Sequence, residues 1–483
     1  MGDSLMQYVG MNAKKFFPKR SLRVIDLSKQ STGLASKKSF DWQKTLDTAL
    51  RENGGVKLVV VLLGANDVWE YRAGGKTYGI KTPRWREFYA SRVREIYDTA
   101  HSHGAGTRDK AHPSRADRPT SFRLDEIPVP GGREEDWRFT PMRRIERLFE
   151  PANYDAGDAP ASVEAPASVG VETVARADKR LGTVLAPGDR TAVVAWNGFE
   201  TATIVDIPAD TQLDRPIRIN VRDINGTRAQ HIVVRAGAFS KATVILSHTG
   251  SADAGLNQTV EVETGDSADL TVVSLQEWDD TVVHASNQRL ALGRDSKLTH
   301  IVVTFGGDLV RLCADTDFRG PGAELSMLGI YFVDGGQHLE HRVFVDHSQP
   351  NCYSRVTYKG ALQGKDAHSV WIGDCLIREA ADDTDTYELN RNLVLTEGAK
   401  ADSVPNLEIE NGEIKGAGHA SATGRFDDEQ LFYLMSRGVA EDEARRLVVR
   451  GFFAELINQI GVPEVVDHLM ATVEAELAKS RTN

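Results

Sequence analysis

The sequence is short of the features that mark several protein classes. It has three cysteines in 483 residues, Cys313, Cys352 and Cys375. An odd, widely spaced set builds no disulfide framework, and without a C-x-x-C pair there is no thiolate zinc or dithiol redox motif. The expected setting is therefore a reducing cytoplasm. No apolar run approaches the ~20 residues of a membrane span, so no membrane association is expected. The longest, "VKLVVVLLGA", is strand-length. The N-terminus has no basic stretch leading into an apolar one, so secretion is not signalled. Basic surplus is missing too: 58 Lys and Arg stand against 69 Asp and Glu, a net charge of -11, which argues against a nucleic-acid surface. What is present is ordinary for globular protein, 41% hydrophobic and 26% charged, at a length that suits two or three domains.

Four textures follow one another. Residues 1–100 read as α/β: "SLRVIDL" (21–27) and "VKLVVVLLG" (56–64) are continuous β-branched runs of the buried parallel kind. Between them "FDWQKTLDTALREN" spaces Trp42, Leu46 and Leu50 as one helical face, and "PRWREFYASRVREIYDTA" (83–100) predicts a second helix. Residues 101–189 begin with an aperiodic loop (101–121). A charged helical start, "GREEDWRFTPMRRIERLFE", follows, and then an Ala/Pro/Ser spacer (154–172) that reads as an exposed mobile loop. Residues 190–425 alternate as short strands. Within them "GAFSKAT", "GDSADLT", "GRDSKLT" and "GPGAELS" begin at Gly237, Gly265, Gly293 and Gly320, spaced 28, 28 and 27 apart. Each has a glycine, a small residue three positions on, then a strand. A β-sandwich would also give many short strands, but a near-constant period without helical crossovers favours a β-solenoid. Residues 426–483 turn helical, with Leu447, Val448, Phe452, Leu456 and Ile457 read as one face and Pro463 opening the last helix. Such terminal helices are expected to cap an open solenoid end or to dock a partner.

"GDSLMQ" resembles the first block of the SGNH (GDSL-type) hydrolases, "KQSTGLASKKSFDW" the second and "GANDVW" the third. The resemblance implies a flavodoxin-like α/β segment with Ser4 as nucleophile, and with the Gly33 N–H and the Asn66 amide as oxyanion donors. The family's closing Asp-x-x-His block has no counterpart in 67–120, and the strand that should precede the Gly-Asp-Ser turn is absent. A nucleophile without its base loses orders of magnitude in rate, so the expectation is an inactive, partial hydrolase segment.

From "RADRPTSF" through "GREEDWRFTPMRRI" to the C-terminus the chain resembles the SufD family of iron–sulfur cluster assembly subunits, most densely in "QHLEHRVFVDH", "SRVTYKGAL" and "TYELNRNLVLTEGAKADSVPNLEIENGEIKGAGHASATGRFDDEQLFYLMSRG". The homologous SufB is the second choice. The resemblance implies a mainly β fold: a right-handed parallel β-helix with flanking helical regions. It further implies a scaffold that pairs with SufB through the β-helix, docks the ATPase SufC through C-terminal helices and is not itself an enzyme. An iron–sulfur cluster would be held transiently at the partner interface. Reduced flavin is linked to the family's complex, and no dinucleotide fingerprint is present here. The family's interface histidine lies six residues before the Arg of its Gly-Arg-x-Asp-Asp-Glu-Gln motif; here that motif is "GRFDDEQ" with Arg425, which places the position on His419. Ala417 stands where some members carry a cysteine, which leaves His419 as the local iron-ligand candidate and SufB to bring the thiolate. The plainer role for His419 is a hydrogen bond across a strand edge.

Other patterns give bland readings. His338, His341, His347 and Cys352 lie within fifteen residues. On a strand, however, His338 and His341 point to opposite faces and share no site without a bulge. "EAADDTDTYELN" lacks the glycine and terminal glutamate of a calcium loop and reads as a solvated loop. Cys313 and Cys375 sit in apolar strands as small hydrophobes. The leading alternative function is an SGNH-type serine esterase or acyl-transfer domain fused to a solenoid; a glycan-binding solenoid is the third.

Overall fold

The computed structural model describes residues 114–479 except 251, 426 and 427, and before them 42–52, 58–59, 71–73, 76–78, 99 and 106–107. The chain divides into two compact units, Met1–Pro113 and Ser114–Asn483. In the first, α1 (Trp42–Glu52) buries Leu46 and Leu50, as their spacing predicts. Strand β1 (Leu58–Val59) falls inside the expected 56–64 run. A short hairpin joins β2 (Tyr71–Ala73) to β3 (Lys76–Tyr78). The aperiodic 101–121 stretch is not all loop: β4 (Gly106–Thr107) pairs parallel with β1. The strand expected over 21–27 lies outside the described residues, as does the helix expected over 83–100 apart from Thr99, which is helical.

The second unit is a parallel β-solenoid of eight coils with two strands each. Strands β7 (Thr201–Ile207), β9 (Thr227–Ala236), β11 (Gly255–Thr264), β13 (Val283–Leu292), β15 (Leu309–Phe318), β17 (His338–His347), β19 (His368–Ile377) and β21 (Lys400–Ile409) stack in one sheet, sheet II. The alternate strands form sheet I: β8 (Ile217–Val221), β10 (Lys241–Gly250), β12 (Asp269–Trp278), β14 (Lys297–Phe305), β16 (Glu324–Val333), β18 (Tyr353–Leu362), β20 (Asp385–Val394) and β22 (Gly416–Arg425). Strand starts in sheet I reproduce the glycine period, because each repeated glycine turns the chain into β10, β12, β14 or β16. The stacked turns touch backbone to backbone: a Cβ on Gly293 would lie 2.7 Å from the Thr264 carbonyl oxygen, so only glycine fits there. The small residue three positions on (Ser240, Ala268, Ser296, Ala323) is buried at the corner of the lumen.

The 154–172 stretch is not a mobile spacer. It forms β5 (Ala161–Glu164), antiparallel to β8, and much of β6 (Gly170–Ala175), antiparallel to β7. Ala159 and Val169 are buried in the lumen core beside it. Its Ala/Ser composition hides an alternation whose pairing edges are supplied only at 201–221. The charged 132–150 stretch makes one helical turn, α2 (Met142–Ile145), and a 3₁₀ turn, which pack Trp137, Ile145, Leu148 and Phe149 against the outside of β13 and β15. After it comes α3 (Arg190–Gly198). Asp189 caps α3, its carboxylate accepting from the Ala192 N–H (2.8 Å), and also pairs with buried Arg311 at 2.7 Å.

The C-terminal helices are α4 (Asp428–Ser436), α5 (Glu441–Ile457) and α6 (Pro463–Lys479), the last opening on Pro463 as expected. They lie along the outer face of sheet I rather than across the solenoid's end. There Ile245, Val273, Ile301, Val303, Leu328 and Ile330 meet Val449, Phe453, Leu469 and Val473. The buried stripe of α5 runs through Ala444, Val449, Phe453, Leu456 and Ile457. Leu447 is 41% exposed, which corrects the face read from sequence. No helix among the described residues is long and apolar enough to cross a membrane.

Candidate functional site

The two ends of the solenoid are finished differently. At the first end β5 and β6 pair with the edges of β8 and β7. At the other end β21 and β22 are the outermost strands of their sheets, and no strand among the described residues pairs with their far edges. Alternation places Ala401, Ser403, Pro405 and Leu407 of β21 and Ala417, His419, Ser421 and Thr423 of β22 on the lumen side. Across this mouth the Ser421 hydroxyl donates to Ser403 Oγ at 2.7 Å.

His419 is exposed at the mouth. It lies in register with Glu388 of β20, one coil deeper, so both occupy lumen-side positions on adjacent strands. Glu388 is 1% exposed, and neither carboxylate oxygen has a hydrogen-bond partner among the described residues. Burial, reinforced by the Asp374 carboxylate, pushes its pKa up to about 8, so it is largely protonated at neutral pH. Deeper still, the Tyr331 hydroxyl donates to Asn392 Oδ1 (2.6 Å) and accepts from Asn390 Nδ2 (2.9 Å). The tyrosine ring fits because Gly360 faces it: a Cβ there would come within 1.8 Å of Tyr331 Cε2. His341 stacks on this ring, 4.9 Å between centroids, and its Nε2 lies 2.9 Å from Thr304 Oγ1. Burial pushes the His341 pKa down to about 3, and those of His248 and His300 to about 4. The lumen therefore holds neutral polar groups among its aliphatic side chains, hydrogen-bonded at Tyr331, Asn390 and His341 but not at Glu388. Reading the motifs one at a time missed Glu388, Asn390 and Asn392; the signal was a polar residue at every second position of "TYELNRN", facing a lumen that is otherwise mostly apolar.

The remaining candidates fall as follows. Ser4, Gly33 and Asn66 lie outside the described residues. His341 faces the lumen and His338 the outside, as alternation requires, so they share no site. Cys313 and Cys375 are buried, and burial raises both thiol pKa values, that of Cys313 to about 11. Part of the acidic stretch 379–390 is not loop: from Asp385 it is strand β20. Among the described residues no group of three or more His, Cys, Asp or Glu is arranged to hold a metal ion. On α4, Phe432 and Tyr433 are 73% and 57% exposed, an apolar surface of the kind that docks partners.

Residues 218–452 match the family model described as "SUF system FeS cluster assembly, SufBD core domain". Residues 1–108 match a second, "Protein of unknown function (DUF459)". An iron–sulfur cluster assembly SufBD family protein of Mycobacterium leprae is 50% identical over 365 residues, which cover 74% of this chain and 93% of that protein. A Mycobacterium tuberculosis counterpart is 51% identical over 365 residues, covering 74% and 91%. The iron–sulfur cluster assembly protein SufD of Bacillus subtilis is 29% identical over 278 residues, 56% of this chain and 63% of that one. The solenoid, its helical coat and these likenesses agree: the chain belongs to the SufBD family of iron–sulfur cluster assembly proteins.

Proposed function

We propose that the chain is a SufD-type scaffold subunit. It pairs through its open coil end with a SufB-type subunit, receives a SufC-type ATPase on its C-terminal helices, and catalyses no reaction itself. The observation that carries this reading is the asymmetry of the ends: one is closed by the chain's own strands, while at the other the edges of β21 and β22 are unpaired among the described residues. An unpaired edge is a template for another strand, and a second solenoid offers one in the matching geometry. In this reading residues 190–425 are the assembly core, 426–483 the docking domain, and the cytoplasm the setting.

The nascent cluster is cargo at the shared mouth. His419 is exposed there and imidazole suits iron. With alanine at 417, the thiolates come from the partner. Phe432 and Tyr433 form the surface offered to the ATPase.

The test is co-expression of the full chain with SufB-type and SufC-type subunits, followed by co-purification and iron analysis. His419→Ala is expected to keep the complex and lower its cluster content. Leu407→Asp at the mouth is expected to break the SufB-type pairing, and Tyr433→Asp to release the ATPase alone. Unchanged pairing with Leu407→Asp would refute the end-to-end arrangement.

A further inference from the structure

Coil stacking sets two histidines side by side that lie thirty residues apart in the chain. His338 opens β17 and His368 opens β19, in register on the outer face of sheet II, with β19 one strand in from the edge strand β21. Their rings face each other through Nδ1 atoms 3.2 Å apart, with the ring planes at 73°. The other nitrogen of each ring is held by a carboxylate. His338 Nε2 lies 3.2 Å from Glu340 Oε2, and His368 Nε2 lies 2.8 Å from Asp402 Oδ2. Both carboxylates also face cations: Glu340 meets Arg342 at 2.7 Å and Arg311 at 3.3 Å, and Asp402 meets Lys400.

A carboxylate so paired only accepts hydrogen bonds, so each ring carries its proton on Nε2 and presents a lone pair at Nδ1. Two lone pairs 3.2 Å apart repel each other unless a positive centre lies between them. We propose that His338 and His368 form a two-imidazole site for a divalent transition-metal ion, bound through both Nδ1 atoms. A tetrahedral ion with metal–nitrogen bonds of about 2.05 Å separates two such nitrogens by about 3.3 Å, close to the distance found. A ligating histidine whose second nitrogen donates to a carboxylate is the usual supporting arrangement of metal sites, since it fixes tautomer and ring angle. Here both rings have it.

The His338 side chain is 2% exposed and that of His368 23%, so the ion would be reached from the His368 side and its remaining positions filled by water or an incoming ligand. With two protein ligands the site is suited to exchangeable binding rather than to a closed structural ion. It draws on none of the residues assigned above to the mouth or to the docking helices.

The experiment is a Co²⁺ titration of the full chain after chelator treatment, read by visible absorption and calorimetry. One Co²⁺ per chain is expected. His368→Ala is expected to abolish it and Asp402→Asn to weaken it by about 10- to 100-fold. Thermal melts confirm that each variant is folded. The inference is overturned if the natural chain takes up no Co²⁺, as it would if a shared proton joins the rings. It is equally overturned if His368→Ala and Asp402→Asn both bind like the natural chain.

Discussion

The two ends of the solenoid face the same physical problem and meet it in opposite ways. Each ends a stack of coils, exposing strand edges and lumen-facing side chains. At the first end an Ala/Ser-rich segment folds back as β5 and β6, covers both edges, and buries Val169 and Ala159 over the lumen. At the last end no strand among the described residues pairs with the far edges of β21 and β22, and the lumen side there carries Pro405 and Leu407 beside serine, threonine, alanine and His419. Polar and small residues tolerate exposure at such a mouth. The difference bears on the proposed pairing: the end whose edges the described strands leave unpaired is the one that reading assigns to a partner.

Substitutions at the two ends should sharpen this contrast. The largest effect is expected at Glu388→Gln. The native carboxyl titrates near pH 8 and an unfolded glutamate near pH 4.3, so between those values the folded state holds the proton that the unfolded state has lost. Natural-chain stability must therefore fall as pH rises through that window. The variant lacks this term: its advantage should be near zero at pH 4, grow through the window to about 5 kcal/mol, and level off only above pH 8. Urea unfolding of both proteins at several pH values would check it, and a pH-independent gap would refute it.

Next in size is Val169→Asp at the capped end, where burying a charge in the lumen core should cost about 3 kcal/mol by denaturant midpoint. Leu407→Asp, its counterpart at the mouth, should cost less than about 1 kcal/mol in the isolated chain, because a partly exposed position lets the charge stay hydrated. Equal penalties at the two sites would remove the distinction between the ends. The smallest effect is expected for His419→Ala, within about 0.5 kcal/mol of the natural chain. Its consequences should appear only in the assembled complex.

Much of the solenoid was legible because its signal is local and repeated. Glycines at 237, 265, 293 and 320 mark turns where neighbouring coils touch, and a period in sequence becomes a period in space. Gly438 and Pro463 likewise punctuate the last helices, the glycine at φ +86°. The face of α5 was harder to read. Leu447 fits an apolar stripe in sequence, but the surface the helix has to meet is sheet I, whose outward residues are scattered from Ile245 to Leu393. The cap was misread for a similar reason: Ala161 and Val163 look featureless until β8 supplies an edge for them.

By itself the sequence determined the coil period, the positions of the turns, the strand alternation that parts His338 from His341, and the family likeness that points to His419. These follow from local sterics and the two-residue repeat of a strand. Only the tertiary structure decided which residues from different coils meet. Stacking placed His419 over the buried Glu388, His338 against His368, and an Ala/Ser stretch across one end while leaving the other open. Such pairings depend on register between strands about thirty residues apart, and register is set by the packing of the whole stack rather than by any one strand.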